Sequence, residues 1–532
     1  MTAGSTERYI LAIDLGTTAL KVALVTTRGE ILGSETEPQT VTLIPGGGAE
    51  QDPAGWWRSI VTATRRLMAG TAVPPESVVA FNSSVHWSGT VPVAADGTPL
   101  MNAIIWMDSR GAEQARRITG GFPKLEGYGV RRLLTWIRLT GGAPTHSGKD
   151  SVAHILFVKK VFPEVYRRTH LFLEPKDYLN FLLTGRFAAS FETITVHWVT
   201  DNRDVNAVRY VPGLLKMAGI ERDKLPDLVP PATVLGPMTA EAAQELGLTE
   251  RCQVLCGAGD ILAAAVGSGA VRDFEAHLCL GTSSWLVCHV PFKKTDLFHN
   301  MASIPSAIPG RYLLTNEQES AGECLSYLKD ALLYPQDELG TGPAPPDVYV
   351  RLDRLAASVP AGSDGLIFAP WLNGERSPVD DSRLRGGFFN QSLRTTRAHL
   401  VRAVLEGVAY NSRWLLTYVE RFVKRRLDAV TMIGGGASSD LWCQIHADMF
   451  DRQIRQAAQP VLAGARGAAL QASLALGEVT LDEIPSLVPI ARTFQPNPSN
   501  RSRYDELFRE FVNIHRSTRR IYARLNAGGS TH

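Results

Sequence analysis

Several signatures of specialised proteins are missing from these 532 residues. No stretch of about 18 apolar residues, the length that crosses a bilayer, occurs, and the first apolar run is already broken by Asp14. The opening MTAGSTERYI is polar and lacks the apolar centre of a secretory signal, so a cytoplasmic location is expected. An excess of one charge is absent as well. Fifty-five basic residues stand against 53 acidic ones, a net of +2 with no long single-sign run, which argues against a nucleic-acid or membrane surface. Cysteine is rare: Cys252, Cys256, Cys279, Cys288, Cys324 and Cys443 are too sparse for a disulfide framework. His277, Cys279, Cys288 and His289 are metal-ligand types, but they lack the tightly spaced cysteine pairs of a structural zinc site and read as small strand residues. Neither a P-loop nor a dinucleotide fingerprint is present. What remains is ordinary globular composition, 44% hydrophobic and 20% charged, in a chain long enough for at least two domains.

The chain is written twice. Residues 9–25, YILAIDLGTTALKVALV, run apolar into a Gly-Thr-Thr turn and out again as a hairpin does. Residues 277–290, HLCLGTSSWLVCHV, repeat that design half a chain later. Around the hairpins, Ile31 to Thr36, Val78 to Phe81 and Val430 to Ile433 read as strands, and Trp56 to Leu67 and Thr396 to Tyr418 as helices. Ser438, Ser439 and Asp440 supply cap chemistry for a helix ending near Phe450. Strands alternating with helices predict an α/β fold. The boundary is expected between Gly267 and Val271, giving domains 1–268 and 269–532.

Gly16, Thr17 and Thr18 in a tight turn expose backbone N–H groups and hydroxyls, a concave donor set suited to phosphate oxygens. Gly281, Thr282 and Ser283 offer the same donors, so the two turns can hold one triphosphate between the domains. Asp14 ends the first strand and is placed to hold water of a hydrated Mg²⁺, whereas its counterpart is Cys279. Lys21 is open between a solvent-facing lysine and a phosphate contact. Gly435, Gly436 and Ala437, after Gly434, allow close approach of a flat ligand, or simply form a tight strand-to-helix turn. Asp260 in GAGDILAAAVG has two readings, helix cap and acceptor of a sugar hydroxyl proton, and the residues alone favour the cap. His86 and Trp87 in NSSVHWSG, with Trp106, Asp108 and Arg110 in WMDSR, make a polar and aromatic set suited to a sugar.

DLGTT (14–18), LGTS (280–283), GGGASSDLWCQIHADMF (434–450), GAGDILAAAVG (257–267), WMDSR (106–110), EPKDYLNFLLTGR (174–186) and WLNGERSP (371–378), in this order, resemble the FGGY carbohydrate kinases over most of the chain. That resemblance implies two actin-like, ribonuclease-H-like domains, sugar-binding first and nucleotide-binding second, around an interdomain catalytic cleft. It implies ATP and Mg²⁺ as cofactors, with Asp14 and Asp260 near the metal, Asp440 at the nucleotide, and Asp260 as catalytic base, displacing the cap reading. The likeness is greatest to xylulokinases: VHW (85–87) matches their Met-His-Gly, placing His86 on the sugar, and RLTGG (138–142) makes Arg138 a candidate. Ile261 stands where an Asn follows the catalytic Asp, and Trp87 where a Gly follows the His, so the pocket is reshaped. The expected activity is ATP-dependent phosphorylation of a pentulose-like sugar. The rivals are a glycerol or polyol kinase and a non-catalytic actin-like nucleotide binder, against which an intact acid at 260 argues. The expected partner is a small sugar or polyol, not nucleic acid or membrane, and a homodimer is left open.

Overall fold

A computed structural model describes residues 7–340 and 342–527 of the chain. The first six residues of the polar opening segment lie outside that range. The first sheet is built on β1 (Tyr9–Leu15), β2 (Ala19–Thr26), β3 (Ile31–Pro38), β4 (Val78–Val85) and β5 (Gln253–Leu255), in the order β5-β4-β1-β2-β3. β1, β2 and β3 pair antiparallel, while β4 runs parallel to both β1 and β5. The second sheet repeats the plan with β6 (Ala276–Leu280), β7 (Ser284–Val290), β8 (Tyr312–Thr315), β9 (Ala429–Ile433) and β10 (Gln453–Ala457). Here β6, β7 and β8 pair antiparallel, and β9 runs parallel to β6 and β10. The two hairpins expected from sequence therefore head two α/β sheets of one topology.

Each sheet has its own core. Leu11, Ile13, Leu24, Trp56 and Phe81 cluster in the first half, and Leu278, Leu280, Trp371, Trp414 and Phe511 in the second. The helices follow their caps. Asp52 caps the helix Pro53–Ala69, Thr396 caps α2 (Arg397–Val423), and Ser439 caps α3 (Asp440–Phe450). β4 is longer than its apolar stretch suggested, because it continues through Asn82, Ser83 and Ser84, all buried. The Asn82 amide reaches outside its sheet, its Nδ2 donating to the Ala468 carbonyl at 2.8 Å.

Two more helices join the halves: α1 (Asp260–Gly267) and α4 (Ala463–Ala475). Leu262, Ala263 and Ala265 of α1 pack with Val287 of β7 and Leu313 of β8, in the second sheet. Ala465, Ala468, Ala469 and Ala472 of α4 pack on Ile10, Ala12, Ala23 and Val25, in the first. Each helix thus lies against the sheet drawn from the other half of the chain. They cross backbone to backbone: a Cβ on Gly267 would sit 1.8 Å from the Ala463 carbonyl, and one on Gly467 1.8 Å from that of Ala263. Only glycine fits at either position.

Candidate active site

Three parallel strand ends meet at one edge of the first sheet. Register pairs Leu15 with Val85, and Val85 with Gly259 of the short strand Ala258–Gly259. The residues that follow, Gly16, His86 and Asp260, therefore stand side by side, and the His86 N–H donates to the Leu15 carbonyl at 2.9 Å. Ends of parallel strands are where open α/β sheets hold their ligands.

Asp260 is the first residue of α1, directly after the N-cap Gly259. Its Oδ1 accepts from the N–H of Ile261 at 2.8 Å. Burial pushes the carboxyl up to about 7, with the charges of Asp14 and Glu317 adding to the effect. A carboxylate so placed is ready to accept a proton near neutral pH. Asp14 lies close by, accepting from Ser84 Oγ at 2.8 Å and from Lys21 Nζ at 3.1 Å. Lys21 is therefore an ion-pair partner inside the cleft, its ammonium held above the ordinary value mainly by Asp14. α4 presses against the pair: a Cβ on Gly464 would stand 2.7 Å from the Asp14 carboxyl carbon.

Each turn is closed by a bond from its glycine N–H, Gly16 to the Ala19 carbonyl and Gly281, one residue tighter, to the Ser283 carbonyl, both 3.0 Å. The N–H groups of Thr17, Thr18, Thr282 and Ser283 donate to nothing among the described residues. Thr17 Oγ1 accepts from the Trp106 indole at 2.8 Å, and Ser283 Oγ donates to Glu317 at 3.2 Å.

The glycine-rich segment divides its labour. Gly434 has a φ of 86°, and a Cβ there would lie 2.6 Å from the Leu280 carbonyl, while one on Gly436 would meet Leu280 and Trp442 at 2.8 and 2.9 Å. Those two glycines are demanded by packing. Gly435 is exposed with nothing within 4 Å of its missing Cβ, which leaves it as the open backbone of the three. Ala437 is buried, its carbonyl accepting from Gln456 at 2.8 Å. Asp440 is exposed at the first turn of α3 with both oxygens used, by Gln456 and Arg492.

The sugar candidates separate. His86 is buried against the edge of Trp56, and neither ring nitrogen has a partner among the described residues. Burial lowers its pKa to about 4, so the ring is neutral with one donor and one acceptor free. Trp87 lies along Gly259, where a Cβ would come within 3.3 Å of the indole, and its N–H is used by the Thr193 carbonyl at 3.0 Å. Asp108 and Arg110 are turned inward. The Asp108 carboxylate, fully buried, accepts from the N–H groups of Ala49 and Arg110 and from the Arg110 guanidinium, which also holds Glu50. In this structure the pair bonds mainly to each other, Ala49 and Glu50. Arg138 is exposed on its helix beside Leu134, Thr135 and Leu139, with no hydrogen bond from its side chain to any group above. No contact brings it to the Gly16–His86–Asp260 edge.

Four residues escaped the residue-by-residue reading: Ser84, Lys149, Glu317 and Arg376. Arg376 lies in WLNGERSP, where nothing local sets it apart from a surface arginine. Cys279, paired across the second hairpin with Trp285, is buried, and His289 is bound to the Ala270 carbonyl and Ser306. All six cysteines are free and buried.

Comparison with known proteins extends the same picture over the whole chain. A xylulose kinase of Staphylococcus epidermidis is 29% identical over 529 residues, covering 98% of this chain and 99% of its own. A gluconokinase of Bacillus licheniformis is 23% identical, covering 97% of each. The crystal structure of gluconate kinase from Lactobacillus acidophilus superposes with a TM-score of 0.83 at 23% identity, over 98% of this chain and 100% of that one. The model for the N-terminal domain of FGGY carbohydrate kinases matches residues 9–267 and that for the C-terminal domain 276–476. With twin sheets, paired turns and an acid between them accounted for in both halves, the chain belongs to the FGGY family of carbohydrate kinases.

Proposed function

We propose that this kinase transfers the γ-phosphate of ATP to a hydroxyl of a pentulose-like sugar, with Asp260 as the base. The observation that carries the reading is Asp260 itself, a carboxyl raised to about 7 at a strand end beside Gly16 and His86. The sugar oxygen attacks the γ-phosphorus, its proton passes to Asp260, and the bond from phosphorus to the bridging oxygen breaks with the electron pair leaving on ADP. Free N–H groups on residues 17, 18, 282 and 283 support a phosphate-holding role for both turns. Exposed Gly435 gives the nucleoside a bare backbone to lie on.

Asp14 and Asp260 fit a Mg²⁺ that keeps most of its waters, since no cluster of three or more ligand side chains exists among the described residues to strip it. Such an ion would offset charge on the β- and γ-phosphates. On the sugar side, the unpaired nitrogens of His86 fit two hydroxyls, and Trp106 offers a ring. Ile261 and Trp87 add apolar surface beside the base, which supports a pentulose-like substrate in which D-xylulose competes with ribulose or xylitol. The domains are proposed as 1–268 and 269–532, closing on the triphosphate.

Asp260→Asn preserves shape and removes the base. It is expected to lower kcat by about 10² to 10⁴ with little change in either KM. Retention of a third of wild-type kcat would remove Asp260 from the chemistry. In a coupled assay across three- to seven-carbon ketoses and polyols, a tenfold win for glycerol or a hexose would overturn the pentulose reading while leaving the kinase intact.

A further inference from the structure

One charged cluster beside the cleft has groups left without partners. Lys149 is half-buried, with its ammonium 5.9 Å from the centre of the Trp106 ring and no acceptor among the described residues. The Arg376 guanidinium lies 5.5 Å from the same ring. Arg376 uses Nε on Glu319 and Nη1 on Glu317, which leaves Nη2 with no acceptor among the described residues. Burial, joined by the Arg376 charge, holds the Lys149 ammonium below the ordinary lysine value. Glu317 and Glu319 offset part of this positive charge, and two donors, the Lys149 ammonium and Arg376 Nη2, stay open to a further anion.

The cluster's position names the anion. The Trp106 indole donates to Thr17 in the first turn, and Glu317, which holds Arg376, accepts from Ser283 in the second. Trp106 and Lys149 come from the first half of the chain, Arg376 and Glu317 from the second, so the cluster is anchored to both phosphate-ready turns.

We infer that Lys149 and Arg376 form a divided anion site on Trp106 that takes the phosphoryl group in transit. The inference rests on the kinase reading above. As the bond to ADP breaks and the bond to the sugar oxygen forms, charge spreads over the three equatorial phosphoryl oxygens, and cations that meet it there lower the barrier. Arg376 arrives by exchanging Glu317 or Glu319 for the phosphoryl oxygens, and Lys149 has no partner to leave. When transfer is complete the same pair holds the phosphate monoester of the product.

Lys149→Met is the first test, because it removes the ammonium over the Trp106 ring without removing any hydrogen bond to the described residues. Its kcat should fall about 10²-fold with the sugar KM unchanged and the melting temperature equal to or above wild type. Arg376→Lys, which keeps charge but loses the fork, should fall by a similar factor. Inorganic phosphate at millimolar concentration supplies a readout independent of the sugar: it should raise the wild-type melting temperature clearly more than that of Lys149→Met, in which only the two turns remain to hold it. Equal phosphate shifts in the two proteins, no shift in wild type, or a Lys149→Met kcat within about threefold of wild type would each overturn the site. A rise in sugar KM alone would assign the cations to the sugar, and a rise in ATP KM alone to the resting nucleotide; either also overturns it. Absence of turnover with every sugar would sink the function reading instead, and the phosphate shift would still decide this one.

Discussion

Asp14 and Cys279 occupy one position in two copies of the same hairpin and do different work. Asp14 faces Lys21 across its hairpin and forms an ion pair, whereas Cys279 faces Trp285. The turns beyond them are alike, each closed from its glycine and each with free N–H groups. Free backbone donors are thus kept in both halves, while charge is kept in only one. A second buried carboxylate at position 279 would face Asp260, whose charge already pushes the Cys279 thiol upward after burial. Like charges at that distance would disfavour the ionised base, so a neutral residue in the second copy preserves Asp260 as an acceptor.

That contrast can be broken by exchanging loads. Asp14→Asn should lower kcat/KM about 10²-fold or more, since it removes the carboxylate charge facing the site. Cys279→Ala should stay within about threefold in kcat/KM and lose about 1 kcal/mol of stability. Comparable losses of activity in both would show that the halves are functionally equivalent. Where the halves are alike, substitutions should be alike too. Gly267→Ala and Gly467→Ala each put a Cβ into the partner helix's carbonyl, and each should cost about 1–3 kcal/mol by overpacking. The double variant should cost less than the sum, because once the helices have separated the second methyl meets less resistance. Thermal melts of the three variants check this; a Gly267→Ala protein melting with wild type would mean that the crossing is not tight.

The repeated hairpins were legible because a glycine turn between apolar runs is a local feature, and so were the caps at Thr396 and Ser439. Strand β4 runs on past Phe81 through polar residues whose partners are distant in sequence, Asn82 donating to Ala468 of α4 nearly four hundred residues later and Ser84 to Asp14, and no local pattern announces that. The exchange of α1 and α4 between sheets was hidden for the same reason: alanine-rich helices look alike whichever sheet they cover. For Asp108 and Arg110 residue type suggests a sugar contact, but it does not reveal the bonds to Ala49 and Glu50, which lie more than fifty residues earlier. For Asp260 the structure adds burial at a strand end beside Gly16 and His86, which the local sequence does not announce. The segments that carried least local information were those whose partners come from the other half of the chain.

The smallest effect is the most discriminating, because it asks whether both halves act on one proton. Burial is the main reason that the Asp260 carboxyl sits at about 7, and Asp14 from the first half and Glu317 from the second raise it further. A group whose pKa is raised is protonated below that value and then cannot accept the sugar proton. The kcat/KM profile, which reports the free enzyme, should therefore fall on its acid side through about pH 7, tenfold per unit below it. Glu317→Gln removes one negative charge that disfavours the ionised base, so the acid limb should move to lower pH by a fraction of a unit. Glu317 also holds Arg376, and loosening that arginine changes the rate at the plateau. Only the position of the limb reports the charge, and it is read after normalising each profile to its plateau. A limb that stays in place would mean that the second half does not reach the base electrostatically, and that Asp260 is tuned by its burial and by Asp14 alone.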